Sequence, residues 1–375
     1  MTDRIAIIGS GVAGLLMAEQ FFSRGWKVHV YEKSPSLAET SVACSYVAAA
    51  MLAPYCELEK AESIIAEWGV ASLPLWKELI ERWCPEAGSP IFGTFAVAFN
   101  REAGELNRLK QSIDKFDPQA AAWINSNKIH EMEPDLGSKI NRALWIPQEG
   151  YLDGSLFLQT IAQKLAEKGV VFHYGVEVKK IYSHTIETAQ KKETFAWVID
   201  CRGLAAKQDL KNLRAVRGEI IRVYAPEVHL KHTIRLMHPR YPVYIVPRNN
   251  QHYVIGATSI ESASDRTITV LSTLELLSAV YSLHSGFSEA NIISTMVGLR
   301  PAFPDNIPKV YCDKGLMIVN GLYRHGYLVS PFLSQTVANH CEGEAITPQS
   351  KLRGRMELTF TTLEMNRFFP RELKS

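Results

Sequence analysis

The chain has 375 residues, enough for two domains, with 46% hydrophobic and 21% charged residues and a formal net charge of +2, an ordinary balance for a folded protein that gives no electrostatic case for nucleic acid or an acidic membrane as partner. No apolar run reaches the ~18 residues of a membrane span; the stretch from Val47 to Pro54 falls far short. The six cysteines are scattered without a C-x-x-C, and the eleven histidines show neither H-x-x-x-H nor H-E-x-x-H spacing, which argues for reduced thiols and against a zinc site.

Arg4 to Ile8 is an apolar, β-branched run that predicts a strand. Gly9-Ser10-Gly11-Val12-Ala13-Gly14 follows at once, and Leu15, Leu16, Ala18, Phe21 and Phe22 then fall at helical spacing. That context raises a G-x-G-x-x-G above a chance glycine pattern. Gly9 permits the tight turn, Gly11 lets backbone approach a pyrophosphate, and Gly14 lets the helix pack on the strand. The helix start at Val12 and Ala13 offers N–H groups and a positive dipole end to phosphate. Val28 to Tyr31 reads as the second strand, and Glu32 at its end is placed to accept from a ribose. The motif by itself does not separate FAD from NAD. A strand starting at residue 4 predicts a chain without a signal peptide, hence a cytoplasmic protein.

Further on, Ser45 to Pro54 is dense in small residues, suited either to backbone lying against something flat or to a tightly packed core helix. Residues 62–84 predict one or two amphipathic helices, 93–99 a strand, and 101–134 a polar, helical surface segment. A helix is expected over about 155–168, then strands at 170–174, 176–178 and 196–201, so Rossmann-like elements return after an interruption. Residues 218–223, 242–247 and 253–258 predict antiparallel strands, the last two joined by a turn at Arg248-Asn249-Asn250-Gln251. A helix over 271–283, a buried strand over 316–321 and a helix from Ser330 complete the pattern; the last thirty residues are charged and carry no motif. No internal repeat and no second G-x-G-x-x-G occur, so a second bound dinucleotide is not expected.

Several segments together resemble the D-amino-acid oxidase family of FAD oxidoreductases, nearest to its glycine-oxidase branch. They are Ile7 to Gly14, Ser45 to Pro54, Tyr244-Ile245-Val246-Pro247-Arg248, Val254 to Thr258, Gly298-Leu299-Arg300-Pro301 and Asn320 to Gly326. The resemblance spans about residues 4–340. It implies an α/β fold: a discontinuous FAD-binding Rossmann-like domain (1–90, 145–217 and 290–375), and a substrate domain (91–144 and 218–289) built on a mixed, mostly antiparallel sheet over the flavin. It also implies roles. Gly9, Gly11, Val12, Ala13 and Gly14 line the pyrophosphate and Glu32 the ribose, with Lys33 a further cofactor contact. Ser45, Ala50, Met51 and Leu52 pass the isoalloxazine, and Val176 touches the adenine end. Gly203, Tyr323, His325, Gly326, Tyr327 and Leu328 complete the cofactor contacts. Arg300 clamps the substrate carboxylate, as a bidentate guanidinium can, Tyr244 hydrogen-bonds it, and Arg324 stands near flavin and substrate. Arg300 and Arg324 count among both the catalytic and the cofactor contacts.

Other readings of the same residues stay open. Arg300 suits a structural ion pair, Tyr244 a strand tyrosine with an exposed tip, and Arg324 a clasp on loop carbonyls. His325 is either a base or a residue behind the site, and Cys44 is a possible point of covalent flavin attachment. The chain also departs from the family pattern at Asp200-Cys201-Arg202-Gly203, at Pro242 where a histidine stands, and at Ser259 in place of a methionine of the pocket wall. The implied reaction is oxidation of a small amino acid or secondary amine, with hydride passing to flavin N5, imine hydrolysis and reduction of O2 to H2O2. The altered pocket leaves a second reading: a maturation flavoprotein that oxidises or hydroxylates a tryptophan of a partner protein.

Overall fold

The computed structural model describes residues 3–36, 43–89, 91–136, 140–238, 242–343 and 361–362. The charged stretch at 344–360 and 363–375, the end of the expected FAD-binding domain, lies outside them. The chain divides into two compact units, one of Met1–Tyr46, Ser155–Val216 and Leu299–Ser375, the other of Val47–Gly154 and Arg217–Gly298. Residues 47–90, 145–154 and 290–298, placed by the sequence reading with the nucleotide domain, fall in the second unit.

The first unit carries a seven-stranded sheet in the order 361–362, Lys309–Asp313, Leu316–Asn320, Trp197–Asp200, Arg4–Ile8, Lys27–Glu32, Val171–Tyr174. The five strands from Leu316–Asn320 to Val171–Tyr174 run parallel. Arg4–Ile8 is central because Ile5, Ala6 and Ile7 are apolar on both faces and wholly buried. The crossover helix Val12–Ser23 packs along the helix Gly326–Cys341. A small antiparallel meander, Val178–Tyr182, Thr185–Thr188 and Lys192–Thr194, interrupts the Rossmann pattern. The expected strand at 176–178 begins only at Val178, because the Val176 N–H is already taken by Glu32 O at 3.0 Å.

The second unit is built on an eight-stranded sheet in the order Asn291–Ala302, Arg214–Tyr224, His252–Gly256, Val243–Arg248, Thr233–Leu236, Thr94–Val97, Arg142–Ile146, Ala122–Asn125. The side chains of its inner strands point alternately to two faces. Ile221, Val223, Ile234, Leu236, Val243, Ile245 and Ile255 face one core with Leu276, Val280 and Leu283 of the helix Val270–Leu283. Ile220, Tyr244, Val246 and Val254 face the other side, with Val47, Ala49 and Met51. The same side continues through Ala96, Leu144 and Met237, which Tyr55, Leu106, Leu109 and Ile113 cover.

The stretch 101–134 is not wholly helical: between helices Ala103–Phe116 and Ser126–Met132 lies the edge strand Ala122–Asn125. It pairs on one side only, its side chains are largely exposed, and Arg142 covers the Trp123 ring at 4.1 Å, so no buried alternation marks it in the sequence. Residues 63–83 form one helix that keeps Pro74 inside it. The small-residue stretch is not a core helix either: a short turn of helix at Cys44–Val47, the strand Met51–Leu52 and a helical turn at Pro54–Glu57 share it.

Candidate active site

In the first unit the glycine turn is built by close backbone approach. Gly9 has φ +98° and donates its N–H to Tyr31 O at 2.8 Å, tying the turn to the second strand. A Cβ on Gly9 would lie 2.8 Å from Cys201 O, and one on Gly14 only 1.9 Å from Gly9 O. The helix therefore meets the turn at a distance that only glycine allows. At Gly11 a Cβ would stand 3.2 Å from Ser45 Oγ, which accepts the Val12 N–H at 3.1 Å. Tyr327 donates its phenol hydroxyl to Ser45 O at 2.8 Å, so the carbonyl and the hydroxyl of Ser45 are held from two helices.

Glu32 is buried at the end of its strand. One carboxylate oxygen accepts from Ser10 N–H at 3.0 Å and Ser10 hydroxyl at 2.9 Å; the other accepts from Ser34 N–H at 2.9 Å. Lys33 beside it is exposed. Gly203 has φ +56°, and its carbonyl accepts from Asn320 Nδ2 at 2.9 Å. The sequence departure just before it is an ion pair. Arg202 grips the buried Asp200 through Nε and a terminal nitrogen at 2.9 and 2.8 Å and reaches Asp209 at 2.6 Å.

Arg300 lies on the strand Asn291–Ala302, half-buried. Burial pushes the Cys44 thiol above its ordinary value, with the Arg300 charge acting against it. The loop after the strand Leu316–Asn320 is strained at Tyr323, φ +50°, whose N–H reaches Pro301 O at 2.8 Å. Arg324 stands 5.8 Å from the Tyr323 ring centroid, His325 is buried, and Gly326 opens the helix that also buries Tyr327 and Leu328. Gly321, with φ +75°, is demanded by Phe303, whose ring a Cβ would meet at 2.2 Å.

In the second unit one row of residues crosses the sheet in register: Ala96, Arg235, Tyr244, Gly256, Ile220. Neighbours in such a row share a face. The Tyr244 ring lies over Gly256, where a Cβ would be 2.6 Å from its hydroxyl oxygen and 2.9 Å from Ile220 Cγ2. On the other flank Arg235 is buried and donates to Glu59 at 3.1 Å. Ala50, Met51 and Leu52 approach the same face: Met51 belongs to the cluster of Tyr244, and Met51 and Leu52 pair with Tyr151 and Gly150. Ser259 is exposed just beyond this face. Its loop is anchored by the buried pair Arg217–Glu219, since Arg217 donates to Glu219 at 2.9 Å and to the carbonyls of Ser264 and Thr267 at 2.7 and 2.8 Å. Burial alone would raise the Glu219 carboxyl; hydrogen bonds from Ser272, Arg217 and Thr258 outweigh it and hold the group below its ordinary value. Glu149 is the opposite case. It is fully buried and pushed up to about 7 by burial, although its carboxylate accepts the N–H groups of Tyr55 and Cys56 at 2.9 and 2.8 Å.

Gly256 and Arg235, the neighbours of Tyr244 in this row, are not named as site residues by the sequence reading. A glycine inside a strand directly opposite a tyrosine is the one available signal of close approach; nothing local marks Arg235.

The profile of the DAO family, FAD-dependent oxidoreductases, matches residues 4–340. The chain belongs to this family. It is 35% identical over 348 residues to a Rhizobium etli protein named as a thiamine biosynthesis oxidoreductase, ThiO, covering 93% of this chain and 99% of that one. It is 27% identical over 361 residues to the glycine oxidase of Geobacillus kaustophilus, covering 91% of this chain and 94% of that one. The crystal structure of that glycine oxidase superposes with a TM-score of 0.79, covering 91% of this chain and 95% of the other. An iminodiacetate oxidase from Chelativorans shares the fold, with a TM-score of 0.78 at 22% identity over 92% of this chain and 97% of that one. The protein is thus a glycine-oxidase-like member of the DAO family and an FAD-dependent enzyme.

Proposed function

We propose that this DAO-family enzyme oxidises a small amino acid or secondary amine. The observation that carries the reading is Tyr244, in the Tyr-Ile-Val-Pro-Arg segment, presented on a sheet face that Gly256 clears for its ring. The Gly9 to Gly14 turn and the buried Glu32 carboxylate fit the pyrophosphate and a ribose of FAD, because the turn brings backbone rather than side chains forward. Ser45, Val176 and the Tyr323–Leu328 segment are the further residues we assign to the cofactor. When bound, FAD supplies a two-electron acceptor for the substrate hydride and passes the electrons on to O2.

The protein's own part is binding and orientation. Arg300 takes the substrate carboxylate through two parallel N–H donors, and the Tyr244 hydroxyl donates a further hydrogen bond to it. Holding the carboxylate aims the α-carbon, and orientation of this kind lowers a barrier without a reacting side chain. Arg324 adds positive charge where negative charge develops. An amine that enters neutral needs no side-chain base. Six free cysteines suit a reducing compartment, which is why we place the enzyme in the cytoplasm; among the described residues no helix is long and apolar enough to cross a membrane.

The test is anaerobic mixing of the flavin-loaded protein with glycine, sarcosine and a panel of small amino acids. Bleaching of the visible flavin band, reversed by air with release of H2O2, is the expected result. The Arg300→Ala protein should keep FAD and lose about 10³-fold in kcat/KM, roughly 4 kcal/mol. A flavin that no amine reduces would reject the reading in favour of a protein substrate, which pull-down of a partner would then identify.

A further inference from the structure

The small-residue segment beside Tyr244 contains a backbone conformation that alanine avoids. Ala50 has φ +53°, in the left-handed region where a Cβ crowds the following carbonyl. Its surroundings hold it there from both sides. Arg248 donates through one terminal nitrogen to Ala49 O at 2.8 Å and through the other to Pro247 O at 2.9 Å. The Leu152 N–H donates to Ala50 O at 3.1 Å, and Met51 and Leu52 then enter the ladder with Tyr151 and Gly150. The guanidinium is itself oriented, 5.6 Å from the Tyr151 ring centroid and with the Asp153 carboxylate 3.9 Å from its Nε. The planar trans peptide joining Ala49 to Ala50 is thus held by its carbonyl, and its N–H points to the side away from Arg248.

Left-handed strain of this kind persists only where the surroundings over-determine it, and it gathers at ligand clamps and active sites. We propose that Arg248 is a positioning residue that fixes the Ala49–Ala50 peptide so that the segment through Leu52 presents its backbone correctly to the flavin. This rests on the amine-oxidase reading above, which places that segment against the isoalloxazine. In this role Arg248 acts through the peptide it holds. Its two terminal nitrogens serve two carbonyls at once, which a single ammonium does less well.

The experiment compares Arg248→Met, Arg248→Lys, Ala50→Gly and the double variant R248M/A50G with the wild-type holoenzyme. The readouts are flavin content, visible spectrum, flavin midpoint potential, kcat and KM. We expect R248M to retain flavin, to shift the potential and band shape, and to lose about tenfold in kcat with KM changed less than about twofold, because a misplaced segment costs orientation more than affinity. R248K should recover part of the loss. Glycine occupies the left-handed region without a clamp, so A50G placed in the R248M background should restore the band shape and regain about threefold or more in kcat, the sign of coupled sites. Lowered melting temperatures for the Arg248 variants with an unmoved flavin potential, or no recovery on adding A50G, would overturn the proposal. A wild-type protein that binds no flavin overturns it together with the functional reading. Flavin that binds but is reduced by no amine rejects only the substrate assignment, since potential and band shape are still read by chemical reduction.

Discussion

Close backbone approach is achieved in both units, but by opposite routes. In the nucleotide unit it is local: Gly14 meets Gly9 within one turn, and the whole device lies in consecutive residues after a buried strand. In the sheet unit it is assembled from distant chain. Gly256 makes room for Tyr244 across a strand pair, and Arg248 holds the Ala49 carbonyl from 199 residues away. The first arrangement is a property of a motif and the second a property of a register. A substitution in the first should therefore damage the fold and cofactor binding together. A substitution in the second should separate stability from catalysis.

Gly14→Ala is the strongest way to break this comparison. Its Cβ would stand 1.9 Å from a backbone oxygen that cannot swing aside, so we expect a loss of more than about 3 kcal/mol in stability and no retained FAD. Thermal melting and flavin content of the purified variant decide it, and a stable yellow G14A protein would show that the turn tolerates what its geometry forbids.

A smaller effect is expected at Glu149, which is fully buried in the sheet unit. Its value of about 7 in the folded protein lies above the ordinary 4.5. The folded state therefore binds the proton more tightly than the unfolded chain. The stabilisation is complete below the unfolded value and is lost as pH rises through about 7. Glu149→Gln keeps an acceptor for the Tyr55 and Cys56 N–H groups and removes the charge. It should be more stable than wild type by about 1–3 kcal/mol at pH 8, with the gain shrinking towards acid pH and vanishing only below the ordinary value of 4.5. Melting curves across that range check the sign, and a gain that grew towards acid pH would refute it.

Gly256→Ala sharpens the comparison at the lowest cost in stability. The added methyl displaces the Tyr244 phenol from a space of 2.6 Å, so KM for the amine should rise about tenfold, near 1.4 kcal/mol, with FAD retained. Equal losses in FAD content and in substrate binding would show that the sheet face is no more separable from the fold than the glycine turn is.

The legible parts of this protein share a cause. The strand–turn–helix at the start, the buried acid at the end of the second strand and the hairpin joining Val243–Arg248 to His252–Gly256 are all specified by neighbours in sequence. The illegible parts are edges and crossings. Asn291–Ala302, which carries Arg300, is a sheet-edge strand with exposed Ile292 and Ile293, so its apolar residues obey no burial alternation. Ala122–Asn125 is hidden in a polar stretch for the same reason. The segment 47–57 looks uniform because small residues suit helix, strand and turn alike, and it uses all three.

What the sequence determined by itself was the nucleotide half, since a glycine turn between strand and helix acts through backbone dihedrals and needs no distant partner, and the resemblance carried by its longer segments extended this to the family. The tertiary structure alone decided which unit holds residues 47–90, that Arg235 stands beside Tyr244 and that Arg248 reaches Ala49. Those facts depend on strand order and on pairings that span most of the chain. Burial then makes each of them specific, because a buried guanidinium or a carbonyl held in a strained turn must find its partner within the fold.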